Sequence, residues 1–300
     1  MWWFRRRQPP RAVYGVQWRD LGIDERDDLI DLAAACAVAD GARRAEPTGG
    51  WAGLEGCAGV AGFAGDRLVA GVVVHPSPRS RTIEGHVHPQ WRGRGIGGAI
   101  LDWALERGGV SLEIPVLTPA AERLAESRGL RRVAALEHLG RPPDHPVELA
   151  PVPAGITFTD WDDDDGYDVY AESFAELPAN PFTYLEDPDQ SRRTWRGVIY
   201  AQGLVPERSL LARDAEGWAV GLVGCDGEGP FHFGTVPQWR GRGLGLAMLT
   251  EAISRVPPAP DRTEPWELRV SADNTAAVRL LQRAGYESDA REGHFERPHR

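Results

Sequence analysis

The chain contains no lysine; all 34 of its basic residues are arginine. That removes Schiff-base and amine-nucleophile chemistry, and it removes the lysine on which a phosphate-binding P-loop depends. Cysteine is scarce as well. Cys36, Cys57 and Cys225 are far apart and show no CxxC spacing, so a disulfide framework or zinc site is not expected, and buried thiols in a reducing compartment are. The eight histidines are scattered, which leaves no metal constellation. No apolar run approaches the roughly 20 residues needed to cross a bilayer. Arg5-Arg6-Arg7 near the start is followed by no apolar h-region, so a secretory or twin-arginine signal is not read there, and a cytoplasmic protein is expected. A net charge of −10 argues against nucleic-acid binding through a general basic field.

What the chain does have is a globular composition, 42% hydrophobic and 26% charged, over a length of 300 residues that suits two domains. It also has a duplicated stretch. Pro89-Gln90-Trp91-Arg92-Gly93-Arg94-Gly95 recurs, identical at all seven positions, as Pro237-Gln238-Trp239-Arg240-Gly241-Arg242-Gly243. Around each copy the periodicity predicts strands leading in and a helix leading out, over 96–106 and 244–256. A strand and a second helix follow each, at 110–114 and 119–128 and again at 266–270 and 275–284. The expected architecture is therefore α+β, with a mostly antiparallel sheet in each half. Arg141-Pro142-Pro143 through Pro153 reads as a stiff linker. The predicted layout is an N-terminal arm over 1–12, a first domain over 13–142, a Pro-rich linker over 143–153 and a second domain over 154–300. Residues 49–65 read as a Gly-rich stretch and 177–188 as an irregular segment.

Glycines packed between a strand and a helix let the backbone turn sharply and approach a ligand closely, while the first-turn N–H groups converge on one point. That makes an anion site suited to phosphate or pyrophosphate. Arg92, Arg94, Arg240 and Arg242 supply guanidinium groups that could bind phosphate oxygens. The bland alternative is a tight turn with solvated arginines. Neither copy ends in the Lys-Ser/Thr of a P-loop. Gly93, Gly95 and Gly98 form a G-x-G-x-x-G with Glu113 in the next strand, which could suggest a dinucleotide site. The second copy has Leu246 at the last position, so that reading is weak.

With these residues in view the chain resembles the GNAT superfamily of N-acetyltransferases. The family's [Q/R]-x-x-G-x-[G/A] signature is matched by Arg92-Gly93-Arg94-Gly95-Ile96-Gly97 and by Arg240-Gly241-Arg242-Gly243-Leu244-Gly245. Its later N-x-x-A-[IV]-x-L-x-x-x-x-G-[FY] motif is met at Asn274, Ala277, Val278, Leu280, Gly285 and Tyr286. The tandem layout, with the run Ser271-Ala272-Asp273-Asn274-Thr275-Ala276-Ala277-Val278-Arg279, is similar to the mycothiol synthase group. The resemblance implies two GNAT-like domains, each with a sheet splayed between its fourth and fifth strands. Acetyl-CoA would lie in the split, its pyrophosphate on the loop and its pantetheine along the fourth strand at Val87 or at Thr235 and Val236. It implies direct attack of a small-molecule primary amine on the thioester, with no metal. Membrane and nucleic acid are not expected partners, and the oligomeric state stays open.

An alkyl ammonium titrates near 10, so acetyl transfer needs a base. A position used by some family members lies five residues before the loop proline, at His232 in the second half and Glu84 in the first. The resemblance makes His232 the candidate base, with backbone N–H groups near Thr235 and Val236 meeting the oxyanion. A strand histidine without chemistry is the equal alternative. The family's usual proton donor is a tyrosine; Leu281 and Ala125 stand there instead. Because the first half carries Thr118 in place of the motif's asparagine, the second half is expected to be catalytic. The first would bind acetyl-CoA or act as a structural partner. Asp160 and Asp162-Asp163-Asp164-Asp165 could attract a cationic amine, though helix capping is the stronger reading. Phe182, Tyr184 and Trp195 could shape an acceptor pocket, or pack a core. Two rivals remain: a catalytically silent acyl-CoA-binding or interaction protein, and transfer to a peptide or protein N-terminus.

Overall fold

A computed structural model describes residues 9–13, 15–42, 57–76, 81–175, 188–256 and 263–298. Most of the expected arm, much of the Gly-rich stretch and nearly all of the irregular segment, with Phe182 and Tyr184, lie outside them. The chain forms two compact units: one of residues 1–138, 269–274 and 289–300, the other of 139–268 and 275–288.

In the first unit, β1 (Gln17–Asp20), β2 (Ala58–Ala64), β3 (Arg67–Pro76) and β4 (Arg81–Val87) form an antiparallel meander. β3 (RLVAGVVVHP) is apolar on both faces because helices cover both: α1 (Arg26–Ala39) on one and α2 (Ile96–Glu106) on the other. Leu29, Leu32 and Cys36 pack with Ala61 and Val73 on the α1 side. Ile100, Leu101 and Trp103 pack with Val72, Ile83 and Leu112 on the α2 side. Two glycines explain why β2 did not read as a strand. A Cβ on Gly59 would come within 2.7 Å of the Leu21 side chain, and one on Gly62 within 2.6 Å of Trp18. They serve close approach, not looseness.

β5 (Ser111–Ile114) runs parallel to β4 but pairs with it at two positions only, Thr82 with Ser111 and Ile83 with Leu112. Beyond these the strands diverge, and the sheet is split. α3 (Pro119–Glu126) follows, capped by the Thr118 hydroxyl, which accepts from the Ala121 N–H at 3.2 Å. On its other side β5 is covered by β12 (Glu287–Glu296), antiparallel from Gly293 opposite Ile114 to Glu296 opposite Ser111. β6 (Arg131–Arg141) lies beyond it. Phe295 of β12 is fully buried with Leu112 and Ile100.

The chain therefore divides differently from its compact units. The linker suggested 13–142 and 154–300, yet segment 289–300 belongs to the first unit and 139–142 to the second. The reason is pairing: β5 leaves β4 after two residues, and its exposed edge takes the C-terminal strand. Arg141, at the start of the Pro-rich run, is buried; its Nε donates to the Ala284 carbonyl at 3.0 Å.

The second unit holds a four-stranded sheet in the order β10-β9-β8-β7, with β7 (Thr157–Asp160), β8 (Leu210–Arg213), β9 (Ala219–Cys225) and β10 (Pro230–Thr235). β10 is an edge of that sheet, so the second unit is also split after its fourth strand. β11 (Trp266–Ser271) comes next in sequence but joins the other sheet. α4 (Asp163–Ser173) and α5 (Pro188–Ala201) precede β8, while α6 (Leu244–Arg255) and α7 (Thr275–Arg283) follow the two later strands. α4 begins at Asp163, earlier than its apolar residues suggest. Asp162 caps it, its side chain accepting from the N–H groups of Asp164 and Asp165 at 3.0 Å each. The acidic run is thus a helix start, and its carboxylates meet Arg192, Arg196 and Arg213.

Candidate active site

Each copy of the repeated loop does the same mechanical work. Gly95 and Gly243 cap α2 and α6 in the left-handed region, with φ of 83° and 85°, where a side chain would be strained. Neither cap supplies a side-chain hydrogen bond. The first-turn N–H groups, from Ile96 and Gly97 or from Leu244 and Gly245, have no intrahelical acceptor and face outward with the helix dipole behind them. Gly97 and Gly245 make room for a leucine from the following helix. A Cβ there would sit 3.2 Å from Leu124 and 3.3 Å from Leu280 respectively. Gly93 and Gly241 take φ of 76° and 73° with nothing nearby, which opens the loop to solvent.

The arginines differ from the expectation that they grip phosphate. Arg92 donates through Nε to the Val87 carbonyl at 3.0 Å and through Nη2 to Asp40 at 2.9 Å. Arg240 donates through Nε to the Thr235 carbonyl at 3.3 Å and through Nη2 to the Ser173 carbonyl at 2.7 Å. Both brace the end of the strand that feeds the loop. Arg94 and Arg242 lie over the rings of Trp91 and Trp239 at 4.4 and 4.9 Å. The loop's first-turn backbone N–H groups are free of intrahelical acceptors and suit a phosphate.

In the first unit the split between β4 and β5 is a cleft of about 400 Å³. It opens at Gly93, Gly95 and Gly97, runs past Val87 and Ile114, and reaches Cys36 and His86 on the α1 side. The volume is in the range of small-molecule sites. Beside it lies a buried polar chain. Glu84, 6% exposed, has Oε1 3.7 Å from His86 Nε2 and Oε2 3.4 Å from His75 Nε2. His75 Nδ1 is 3.4 Å from the half-buried Cys57 thiol. His86 shares a hydrogen bond with the Cys36 thiol, which donates to the Val87 carbonyl at 3.2 Å. Burial alone would lower the His86 pKa, but the neighbouring Cys36 thiol and Glu84 carboxylate outweigh it and raise it to about 9. Burial likewise opposes ionisation of Glu84, yet the two histidines hold its pKa below the ordinary value.

Among the described residues, the second unit places a different set of side chains at the matching positions. His232, where Glu84 stands in the first, lies against Tyr170 at 5.2 Å and Phe174 at 5.5 Å between ring centroids. Its Nε2 is buried with no hydrogen-bond partner among the described residues, and burial lowers its pKa to about 4. A base that weak is poorly matched to an ammonium near neutral pH. Gly234 occupies the position of His86, and Ser173 and Phe174 leave no space above it: a Cβ would lie 3.1 Å from Ser173 and 3.2 Å from Phe174. The Val236 N–H, expected to meet an oxyanion, is donated to the Val220 carbonyl at 3.1 Å. Thr235 and Leu244 flank the loop as expected, whereas Asn274 falls in the first compact unit, after the end of β11. Trp195 is a core residue, 1% exposed and packed on Tyr170 and Trp161. Sequence reasoning missed Cys36 and His86. The signal for His86 was the alternation Glu84-x-His86-x-His88, which puts polar residues on one face of a strand entering the loop.

No family model matches the chain. Curated relatives do. A mycothiol acetyltransferase of Thermobispora bispora is 29% identical over 277 residues, 87% of this chain and 92% of the relative. One from Clavibacter sepedonicus is 31% identical over 238 residues, 75% of each protein. The chain belongs to the mycothiol acetyltransferase family. Its fold agrees: a crystal structure of a GCN5-related N-acetyltransferase from Sphaerobacter thermophilus superposes with a TM-score of 0.66 and 25% identity, covering 97% of this chain and 98% of that one. A tandem GNAT protein from the clavulanic acid biosynthesis pathway matches with a TM-score of 0.54 at 19% identity, over 95% of this chain and 99% of that one. This member of the mycothiol acetyltransferase family is a tandem GNAT acyltransferase of the α+β class, as the repeated loop indicated. Among the described residues no group of side chains could hold a metal ion, and no helix is long and apolar enough to cross a membrane.

Proposed function

We propose that the protein transfers the acetyl group of acetyl-CoA to a small-molecule primary amine by direct attack on the thioester, and that the transfer takes place in the first unit. The observation that carries the assignment is the cleft between β4 and β5, which links the loop glycines to the buried Glu84–His86 pair. Acetyl-CoA would lay its pyrophosphate on the N–H groups of Gly95, Ile96 and Gly97 and its pantetheine beside Val87. The amine would approach from the α1 side, where Cys36 and His86 line the cleft. The relatives' name makes the mycothiol amine the first acceptor to test.

A second reading puts the chemistry in the second unit, as the Asn274 motif suggested, with acetyl-CoA on Arg240 to Gly245 and His232 as base. Its support is the free edge of β10. Thiol release from acetyl-CoA, measured over aminothiols, amino sugars, polyamines and a peptide with a free N-terminus, decides between them. Gly95→Glu fills the first loop and Gly243→Glu the second. Loss of turnover in Gly95→Glu, with a much smaller loss in Gly243→Glu, supports the first unit; the reverse order sinks it. No turnover on any amine, despite acetyl-CoA binding, would count against the acceptor class.

A further inference from the structure

The three cysteines have different surroundings. Cys225 is fully buried in the core of the second unit, and burial pushes its pKa up to about 12. Cys57 is half-buried beside His75, and burial raises its pKa as well. Neither is among the residues that line the cleft between β4 and β5. Cys36 is. It sits on the face of α1 that carries Leu29 and Leu32, and it forms part of the cleft wall. Its thiol donates to the Val87 carbonyl at 3.2 Å, and Arg92 Nε donates to the same oxygen at 3.0 Å. Thiol and guanidinium are thus neighbours. His86 shares a hydrogen bond with the sulfur from the other side, and Glu84 Oε1 lies 3.7 Å behind the imidazole. A cysteine that only fills space has no need of such neighbours. Sulfur, imidazole and an orienting carboxylate follow one another here, beside a cavity. Reactive cysteines are found where positive groups and access coincide, and Cys36 has both.

We propose that Cys36 is a redox-modification site, at which hydrogen peroxide entering the cleft oxidises the sulfur to a sulfenic acid, with Glu84 positioning the His86 imidazolium. The inference holds whichever unit carries out acetyl transfer. The thiol first gives its proton to solvent. The thiolate attacks one peroxide oxygen, so that an S–O bond forms and the O–O bond breaks. The imidazolium protonates the leaving hydroxide to water, and His86 recovers a proton from solvent. Sulfur loses two electrons and the peroxide gains them. The new oxygen lies between His86 and Arg92, whose positive charges suit a sulfenate. No second cysteine lines the cleft, so reduction falls to low-molecular-weight thiols. One condenses with the sulfenic acid, releasing water and leaving a mixed disulfide. A second displaces the Cys36 thiolate and departs as the small disulfide. The charged groups around the sulfur are His86 from β4 and Arg92 from the loop, with Glu84 behind the first and Asp40 paired to the second. His75 of β3 meets the far oxygen of Glu84.

The test treats the reduced full chain with hydrogen peroxide near neutral pH, quenches with catalase and unfolds the protein in dimedone, which traps sulfenic acid. Peptide mass spectrometry then reads each cysteine. Cys36 should be oxidised at least about 10-fold faster than Cys57 or Cys225, and dithiothreitol added before the dimedone should abolish the label. His86→Gln should slow Cys36 oxidation by about 10-fold or more, while Cys225 stays unoxidised and so reports that the second unit remains folded. Glu84→Gln should also slow it, and its deficit against the wild type should grow between about pH 7 and pH 8.5, because the imidazolium loses its proton earlier without the carboxylate. A purely structural role for Glu84 would not give that pH dependence. Oxidation of Cys57 or Cys225 ahead of Cys36 overturns the proposal, as does a Cys36 that is not trapped. So does a His86→Gln protein that keeps Cys225 protected and oxidises Cys36 within about 3-fold of the wild-type rate. Where Cys225 becomes oxidised in both variants they have unfolded, and the order of the three cysteines in the wild type decides alone.

Discussion

The two units carry the same seven-residue loop and the same glycine geometry, yet the strands that feed them offer opposite chemistry. In the first, β4 brings Glu84 and His86 to a cleft and α1 adds Cys36. In the second, β10 brings His232 and Gly234 into a packed aromatic surround, and α4 adds Ser173, whose buried hydroxyl has no hydrogen-bond partner among the described residues. A loop that reads the backbone of a phosphate carries little information about the residues a few positions before it. At those residues the copies have diverged. The duplication therefore points to a shared loop and not to where the chemistry occurs.

The comparison breaks most readily at the loops. Gly95→Glu should reduce turnover by about 1,000-fold and Gly243→Glu by less than about 10-fold if, as proposed, the transfer takes place in the cleft onto which the first loop opens. Steady-state thiol release checks it. Next is the exchanged strand. Phe295 is fully buried in the first unit's core, so Phe295→Ala should cost about 3–5 kcal/mol and weaken acetyl-CoA binding there, as denaturant unfolding and calorimetry would report. An unchanged first unit would mean that the C-terminal strand is dispensable to it.

A smaller effect is expected from making the second unit resemble the first. Gly234→His introduces a side chain against Ser173 and Phe174 and should destabilise by about 1–3 kcal/mol without creating activity. Activity gained by that variant would show that the second cleft is open.

The smallest effect is in the pH response, and its sign differs between units. His86 binds its proton more tightly folded than unfolded. Its contribution is complete below the ordinary histidine pKa of 6.5 and is lost as pH climbs through about 9. His232 is held neutral, with its pKa depressed to about 4. The unfolded chain therefore binds the extra proton as pH falls below 6.5, and stability declines toward pH 4. His232→Leu should flatten the acid side of a thermal-melting profile, and His86→Gln the alkaline side. Crossed outcomes would mean that the environments have been assigned the wrong way round.

Much of the fold was readable because its signals are local. The apolar run of β3, the helices after each loop and the Asp162 cap follow from periodicity and capping chemistry. β2 was not, since AGVAGFA looks like a turn-rich stretch until Leu21 and Trp18 are seen lying on its glycines. A closing strand after the last helix follows from the order the two halves share, but the place of β12 beside β5 was not readable. ESDAREGHFE has weak strand propensity and becomes a strand by pairing with the edge of β5. The repeated loops were legible for the same local reason as the helices, whereas Asp40, which pairs with Arg92, and the Ser173 carbonyl, which accepts from Arg240, are distant in sequence.

The sequence by itself determined that there are two GNAT-like halves, that each ends its fourth strand in a glycine-rich turn into a helix, and that lysine chemistry and a CxxC-type metal site play no part. These rest on short-range patterns and on residue types, which need no fold to be read. Only the tertiary structure decided which segments make a unit, that the conspicuous arginines are braces, and that His232 sits among rings while His86 faces a cleft. Those are matters of burial and long-range pairing: a histidine's pKa, near 9 or near 4, is set by what the rest of the chain places around it.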